Sequence, residues 1–418
     1  MLPGNRSALL ALLALLAVLA YLPTLRQPLL EDDYPNLAIA QTYGAPQEWK
    51  QLAGSVFRLR ATSEWLFYFA YNAFGMHAAP YYAITILLHV LNTWLVYALG
   101  AWPSVGYRVS AWGAVFFAVY EGHQEAVMWF SACNELLQFL FGVGAIVCWL
   151  QFVEKGKWKW YAASVILLGL ALISKESAVI VAALMLVVGW RRRLPYIPLI
   201  MAAACAALVY ADRGNSFRFQ DGSFSLHAPF WRIWPENFAR LFWFWGLLAL
   251  LAAWIRYRTV VWRGLAWAGV GLLPYSFLIY SARIPSRQVY LASAGLALIV
   301  GAGLAALEKQ RRPAAALVCA LLLVHNTGYL WIKKRAQFLE RAEPTEQLIA
   351  FAKQTAGPIY IQCFPRPGLI AQEAVHLGAG KMVSDVIWNS EEAKQRGATA
   401  WCYAPMAAKR RSICCTNK

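Results

Sequence analysis

The sequence predicts an all-α polytopic membrane protein with a small soluble α/β domain at its C-terminus. Of the 418 residues, 60% are hydrophobic and only 14% are charged, whereas a soluble domain carries about a quarter charged residues. Aromatic residues make up 15% of the chain, and many lie at the ends of apolar runs, where amphipathic rings favour the lipid headgroups. These runs approach the ~20 residues that a helix needs to cross a bilayer.

Eleven apolar runs predict about eleven transmembrane helices. We interpret the first run, after Arg6, as a retained helix because no small-residue cleavage site follows it before Pro23. The runs at 108–120 and 176–190 are short for a span. The other runs lie at 7–23, 79–100, 129–152, 159–173, 194–211, 237–254, 262–280, 289–307 and 313–331.

The loops between the runs predict the orientation of the chain. Every second loop is basic, as at 154–159, and the positive-inside rule places these loops in the cytoplasm. The other loops carry most of the acids and therefore face the periplasm or the exterior, including the two long loops 24–78 and 212–236. Within the first long loop, the apolar and aromatic stretch 61–74 is interrupted by polar residues, which is typical of a helix lying in the interface.

The net charge of +17 does not predict a nucleic-acid partner. The basic residues fall in short clusters between apolar runs rather than on one folded face. That distribution favours topology determinants and contacts with anionic lipid or phosphate.

The chain changes character after Trp331, which divides it into a membrane domain, 1–331, and a soluble tail, 332–418. Two β-like runs, at 358–364 and 399–403, flank a helical piece near 369–380 and predict a small α/β fold. With eleven spans the tail is external, although the basic residues at its start oppose the positive-inside rule. Oxidising conditions would allow its cysteines to pair, and free or buried thiols are the alternative. These cysteines are Cys363, Cys402, Cys414 and Cys415.

Three adjacent acids, Glu31, Asp32 and Asp33, follow the first run closely. Charges near a bilayer are costly, so this triplet is a candidate functional site. Adjacent carboxylates can act as a general base or bind a divalent cation. A solvated loop with helix-capping acids is the alternative.

A second external loop, 121–135, carries further acids together with His123 and Glu125. These two residues could orient an acceptor hydroxyl or assist proton transfer. A structural role for the lone histidine is the alternative.

External loops also carry cations. Lys175 interrupts an apolar stretch and suits a phosphate oxygen, or it only neutralises Glu176. Arg283 and Arg287 follow the ninth run, and Arg58 lies in the first long loop with Arg60. Cations and carboxylates on one face suit an anionic, lipid-linked substrate and acid–base chemistry.

Four ordered segments resemble the GT-C type of membrane glycosyltransferase, and within it bacterial relatives of TMTC-like dolichyl-phosphate-mannose protein O-mannosyltransferases. Arg58, His89 and Asn92 match that group's arginine and LLHxxN pattern. Cys133 stands where relatives usually carry an arginine, and the frequent TPR array is replaced by the tail. The segments are LLEDDYPNL, FRLRATSEWLFYFAYNAFG with the following LLHVLN, EGHQEAVMWFSACNELL with ISKES, and SRQVYLASAG.

The resemblance implies sugar transfer from a polyprenyl-phosphate-linked donor to an acceptor hydroxyl at the external membrane face, usually with inversion. It gives the catalytic base to Asp32 and an orienting role, toward the acceptor or a cation, to Asp33. It assigns the donor phosphate to Arg58, Lys175 and Arg287, and the acceptor side to His123 and Glu125. Whether Glu31, Asp32 and Asp33 hold a divalent cation stays open.

The expected partners are the lipid-linked donor, membrane lipid and an acceptor protein or glycolipid. The expected location is the inner membrane of a bacterium, with the active site facing the periplasm. Two alternatives remain: a transporter or flippase, and a degenerate scaffold, for which Cys133 is the main argument. A transporter would place charged residues deep in several spans, whereas here they cluster at one face.

Overall fold

A computed structural model describes residues 2, 4–189, 194–215, 217–220, 222–279 and 286–405. Arg283, Cys414 and Cys415 lie outside the described residues.

Every one of the eleven predicted apolar runs coincides with a helix in the part of the chain that the structure describes. The predicted interfacial stretch also forms a helix, α4. The helices before the tail are α1 Arg6–Tyr21, α2 Asp33–Tyr43, α3 Trp49–Leu52, α4 Ala61–Phe74, α5 Ala78–Ala98, α6 Gly106–Val119, α7 Gln124–Val127, α8 Cys133–Lys155, α9 Trp158–Leu172, α10 Ile180–Gly189, α11 Tyr196–Ala211, α12 Phe217–Gln220, α13 Phe230–Trp254, α14 Arg258–Leu272, α15 Ser293–Gln310 and α16 Arg312–Tyr329.

Length and composition allow five described helical segments to cross a membrane, which fits a multi-pass protein. Three helices that are equally apolar but shorter add to them: Trp158–Leu172, Glu176–Gly189 and Tyr196–Ala211. The total of about eleven spans stays a prediction. The five segments are Arg6–Arg26, Ala78–Ala101, Phe130–Lys155, Phe230–Trp254 and Arg312–Gln354.

Helix α15 lies at the centre of the helical domain, and all its residues from Ser293 to Ala306 are buried. Small residues allow its neighbours to approach closely. A Cβ added to Gly113 of α6 would lie 2.6 Å from the Ala297 carbonyl oxygen. A Cβ added to Gly264 of α14 would lie 2.7 Å from the Gly295 carbonyl oxygen. These contacts hold α15 close to α6 and α14.

The tail is a small α/β unit, with a sheet where the sequence predicts one. Its helix α17 continues from α16 through residues 330–334. The strands are parallel in the order β2-β1-β3, and their inner face packs around Ile359, Ile361 and Trp401. The elements are α17 Arg335–Gln354, β1 Ile359–Cys363, α18 Gly368–Ala379, β2 Val386–Ile387, α19 Ser390–Gln395 and β3 Thr399–Cys402.

Two features tie the tail together and attach it to the first external loop. A disulfide joins Cys363 of β1 to Cys402 of β3. Helix α18 packs against α2, and the Tyr34 hydroxyl donates to the Glu346 carboxylate at 3.3 Å. The tail therefore packs against the segment that carries the acidic triplet.

Candidate active site

The acidic triplet forms a tight turn that leads into α2. The Asp33 amide donates to the Leu30 carbonyl at 2.7 Å, and the Leu30 amide donates to the Asp33 carboxylate at 2.8 Å. Glu31 has φ +38°, in the left-handed region that non-glycine residues rarely occupy. Such a conformation persists only where the surroundings hold it.

Two arginines of the tail hold Glu31 in this conformation. Arg341 of α17 donates through Nη2 to Oε2 at 2.6 Å, and Nη2 of Arg366 lies 2.8 Å from Oε1. Charge-assisted, forked contacts of this kind are strong and directional. Glu31 is therefore engaged in fixing the turn.

Asp33 is fully buried and also holds the turn. Its Oδ1 accepts from the Ser131 amide at 2.7 Å and from the Ser131 hydroxyl at 2.6 Å. Burial raises the pKa of Asp33 to about 7, although the hydrogen bonds from Ser131 and Leu30 act in the opposite direction. Its side chain packs into the protein, and the role of Asp33 in orienting the acceptor stays a prediction.

Asp32 is the exposed member of the triplet, and it lines a polar cavity of about 340 Å³. Its two neighbours point into the protein, so the turn presents this one carboxylate to the cavity. The cavity also contains a second acid, Glu64, and an aromatic wall that includes Trp129. Polar and basic residues complete it: Asn36, Arg60, Ser63, Ser131, Asn134, Lys175 and Arg287.

A second cavity, of about 370 Å³, is mostly apolar and shares three cations with the first. Arg60, Lys175 and Arg287 line both cavities. The rest of its wall consists mainly of aliphatic and aromatic side chains: Val179, Ile180, Ala206, Val209, Phe219, Phe224, Leu226, Leu273, Pro274, Phe277 and Leu278. An apolar groove and a polar pocket thus meet at a positively charged boundary.

Acidic side chains hold two of the three cations. Lys175 pairs with Glu135 of α8, whose other oxygen accepts from the Tyr275 hydroxyl at 2.9 Å. Burial lowers the pKa of Lys175 to about 8 in spite of Glu135, which raises it. Arg60 makes a forked pair with Glu176 at 3.2 and 3.3 Å. The two ion pairs fix the ammonium and guanidinium groups at the shared boundary.

The third cation, Arg287, is positioned through its own backbone and through Trp129. The Glu125 carboxylate accepts from the Arg287 amide at 3.2 Å and from the Ser286 hydroxyl at 3.2 Å. The Arg287 guanidinium lies 4.9 Å from the centre of the Trp129 ring, and Arg341 lies 4.6 Å from the same centre. Glu125, predicted on the acceptor side, therefore supports the loop that carries Arg287.

Arg58, predicted to bind the donor phosphate, does not line either cavity in the described part of the chain. Its Nη2 pairs with Asp212 at 2.7 Å instead. Arg60, two residues later in the turn at 58–60, lines both cavities. The sequence offers both arginines, and only their placement distinguishes them.

His123 is buried among aromatic rings and is not in the cavity lining of the described residues, so its role on the acceptor side stays a prediction. Its Nε2 lies 2.7 Å from the Ser293 hydroxyl, and its ring contacts Phe117 and Tyr290. Burial lowers the pKa of His123 well below its ordinary value, so the ring is neutral. His123 therefore belongs to the packing of the helical domain.

Two features that the sequence analysis raised remain: Cys133, and a divalent cation at the acidic triplet. Cys133 is buried with a free thiol at the start of α8. Among the described residues, no group of three or more His, Cys, Asp or Glu side chains could hold a metal ion. Glu31 pairs with Arg341 and Arg366, Asp33 accepts from Ser131, and a divalent cation at the triplet stays a prediction.

Sequence relatives agree with the resemblance that the motifs predict. The family model for dolichyl-phosphate-mannose-protein mannosyltransferase matches residues 62–211. Protein O-mannosyl-transferase Tmtc1 of Drosophila melanogaster is 27% identical over 216 residues, which are 51% of this chain and 21% of that protein. The match thus spans about a fifth of the relative's length.

Solved structures share the fold at low sequence identity. ArnT from Cupriavidus metallidurans, bound to undecaprenyl phosphate, is 13% identical with a TM-score of 0.57, covering 95% of this chain and 90% of ArnT. The oligosaccharyltransferase AglB from Archaeoglobus fulgidus, in complex with an inhibitory peptide and a dolichol-phosphate, is 14% identical with a TM-score of 0.55. That match covers 93% of this chain and 64% of AglB. The comparisons confirm the predicted resemblance to GT-C membrane glycosyltransferases.

Proposed function

We propose that this protein is a glycosyltransferase that moves a sugar from a polyprenyl-phosphate-linked donor to an acceptor hydroxyl at the external membrane face. The observation that carries the proposal is the meeting of an apolar and a polar cavity at Arg60, Lys175 and Arg287. A lipid-linked sugar has the same order of parts: an apolar chain, a phosphate and a polar ring.

The donor fits with its isoprenoid chain in the apolar cavity and its phosphate at the three cations. When the bond between sugar and phosphate breaks, negative charge grows on the departing phosphate. Preorganised cations stabilise that charge without having to reorganise. ArnT and AglB, which share the fold, have been solved with undecaprenyl phosphate and dolichol-phosphate, which supports this placement.

Asp32 is the proposed base. Its carboxylate takes the proton of the acceptor hydroxyl as the acceptor oxygen attacks the anomeric carbon. The attack comes from the face opposite the phosphate, so the configuration at that carbon inverts. Glu31 and Asp33 serve this step by fixing the turn that presents Asp32.

The proposed location is the inner membrane of a bacterium, with the cavities facing the periplasm. The alternation of basic and acidic loops supports this orientation. The Cys363–Cys402 disulfide supports it as well, because disulfides persist in oxidising compartments. The proposed acceptor is a protein or a glycolipid.

Sugar transfer in proteoliposomes tests the function. We expect wild-type protein to release sugar from a polyprenyl-phosphate-linked hexose, and Asp32→Asn to lose at least about 1,000-fold in turnover. Binding of polyprenyl phosphate should survive in Asp32→Asn. Equal turnover by both proteins would remove Asp32 from the mechanism.

Binding of polyprenyl phosphate tests the role of Arg60, Lys175 and Arg287 separately from sugar transfer. Lys175→Ala should weaken the binding of polyprenyl phosphate about tenfold or more, because one of three cations is lost. Lys50→Ala is the matched control, since Lys50 is an exposed lysine of the same external loop as Asp32. Wild-type protein that binds no polyprenyl phosphate would contradict the proposed function.

A further inference from the structure

Glu64 is a buried acid in the polar cavity to which the mechanism above gives no role. It lies in the first turn of α4 and is only 3% exposed. Its side chain lines the cavity with Asp32, and its Oε2 has no hydrogen-bond partner among the described residues. Leaving a buried polar oxygen unpaired costs about 1–3 kcal/mol, so the position calls for an explanation.

A purely structural role accounts poorly for this position. An acid in the first turn of a helix favours the helix dipole, but an exposed acid achieves this without the cost of burial. Burial raises the pKa of Glu64 to about 8, and only the nearby Arg60 opposes the shift. The group is therefore a carboxyl that can both donate and accept a hydrogen bond.

The rest of the cavity is suited to a sugar ring. Hydroxyl and amide side chains line the same cavity as Glu64, namely Ser63, Asn36 and Asn134. Trp129 adds an indole ring to the cavity wall, and Arg287 and Arg341 contact this ring. The two acids of the cavity differ in environment, because Asp32 is exposed and Glu64 is buried.

We propose that Glu64 binds a hydroxyl of the transferred sugar and thereby selects which sugar the enzyme accepts. The proposal rests on the proposed function, because it places the donor's sugar in the polar cavity. Each sugar hydroxyl can donate one hydrogen bond and accept another, which matches a carboxyl. A site built around such a bond rejects an analogue that lacks the hydroxyl, since the buried group is then left unpaired.

A binding comparison separates this role from that of the cations. The probes are bare polyprenyl phosphate and the same lipid carrying mannose or glucose. Glu64→Ala should bind bare polyprenyl phosphate within about twofold of wild type, yet lose about tenfold in affinity for the preferred sugar-linked lipid. Glu64→Gln should recover most of that loss, because an amide still donates and accepts.

Deoxy donors identify the hydroxyl. Four donors that each lack one hydroxyl, at position 2, 3, 4 or 6 of the hexose, are compared with the complete donor. For one of them the kcat/KM of wild type should fall about 100-fold, which is more than for the other three. In Glu64→Ala that discrimination should shrink to about threefold, while discrimination at the other hydroxyls persists. Glu48→Gln, an acid of the same external loop outside the cavity lining, is the control and should behave as wild type.

The two proposals fail in different ways. If Glu64→Ala weakens bare polyprenyl phosphate as much as the sugar-linked lipid, Glu64 supports the fold or the phosphate, and the selection role is wrong. Unchanged discrimination in Glu64→Ala, with normal turnover, would overturn it as well. If wild-type protein binds neither lipid, the proposed function falls and the role of Glu64 falls with it. Size-exclusion profiles of the detergent-solubilised variants verify folding.

Discussion

Arg341 of the tail and Glu31 of the first external loop form a forked ion pair, with Nη2 2.6 Å from Oε2 and Nε 3.4 Å from Oε1. The residues are 310 positions apart in the chain. Arg341 also contacts the ring of Trp129 and lies 3.9 Å from Glu125. One arginine of the tail therefore touches the turn that presents Asp32 and also touches Glu125, which supports the loop that carries Arg287.

A double-mutant cycle measures this relationship. Glu31→Gln and Arg341→Gln should each lower turnover about tenfold, because the left-handed turn loses its charged partner and Asp32 shifts. Arg366 retains one contact with Glu31 in the Arg341 variant, so the loss is partial. The double variant should be no slower than the worse single variant, since both changes break the same pair.

The exposed pair of Arg232 and Glu236 is the matched control for that cycle. Exposed ion pairs contribute little, so Arg232→Gln should leave turnover unchanged. Strictly additive effects of the Glu31 and Arg341 variants would mean that the pair does not act on the site as a unit.

Asp33 should behave as a structural acid, in contrast to Asp32. In Asp33→Asn only one acceptor oxygen remains, and the new amide group would face either Ser131 or the Leu30 amide. We expect a loss of stability of about 1–3 kcal/mol. Thermal unfolding in detergent should show this loss in Asp33→Asn, whereas Asp32→Asn should unfold like wild type. A stable Asp33→Asn that lacks turnover would restore the sequence-based catalytic role.

The helices and the tail sheet could be predicted from the sequence because their signals are local. An apolar run of about 20 residues, or a β-like run between turn residues, can be recognised from the residues of that segment alone. β2 was missed because it has only two residues and pairs through β1. The number of spans that cross a bilayer depends on tilt and neighbours, so sequence alone leaves it a prediction.

The site residues could be predicted only in part, because their roles depend on tertiary contacts. The triplet was identified as a group, but only the fold shows that Asp32 faces the cavity while Asp33 is buried. The motif residues His89 and Asn92 both contact the Tyr290 hydroxyl in the buried core. Some of the residues that carry the resemblance therefore specify the fold and not the chemistry.

Arg58 and Arg60 lead to different predictions from sequence and from structure. The sequence motif assigns the donor phosphate to Arg58, whereas Arg60 lines the two cavities. Arg60→Ala should weaken polyprenyl phosphate binding about tenfold or more, because this guanidinium lies at the boundary of both cavities. Arg58→Ala should leave binding within about twofold, since Arg58 pairs with Asp212 and lines neither cavity in the described part of the chain. Isothermal titration of the detergent-solubilised variants measures both. The reverse ranking would restore the motif-based assignment of the phosphate to Arg58.

The pH dependence of lipid-phosphate binding should report the charge of Lys175. Its pKa, lowered by burial to about 8, means that the ammonium loses its proton within an accessible range, whereas arginine side chains keep their charge in proteins. A phosphate binds the protonated form, so the affinity of wild type should fall about tenfold between about pH 7.5 and 9 as the competent fraction declines. Lys175→Arg keeps its charge and should show a nearly flat profile over the same range. If the arginine variant lost affinity in parallel with wild type, the titrating group would be another residue, and the Lys175 ammonium would not be the phosphate contact that controls binding.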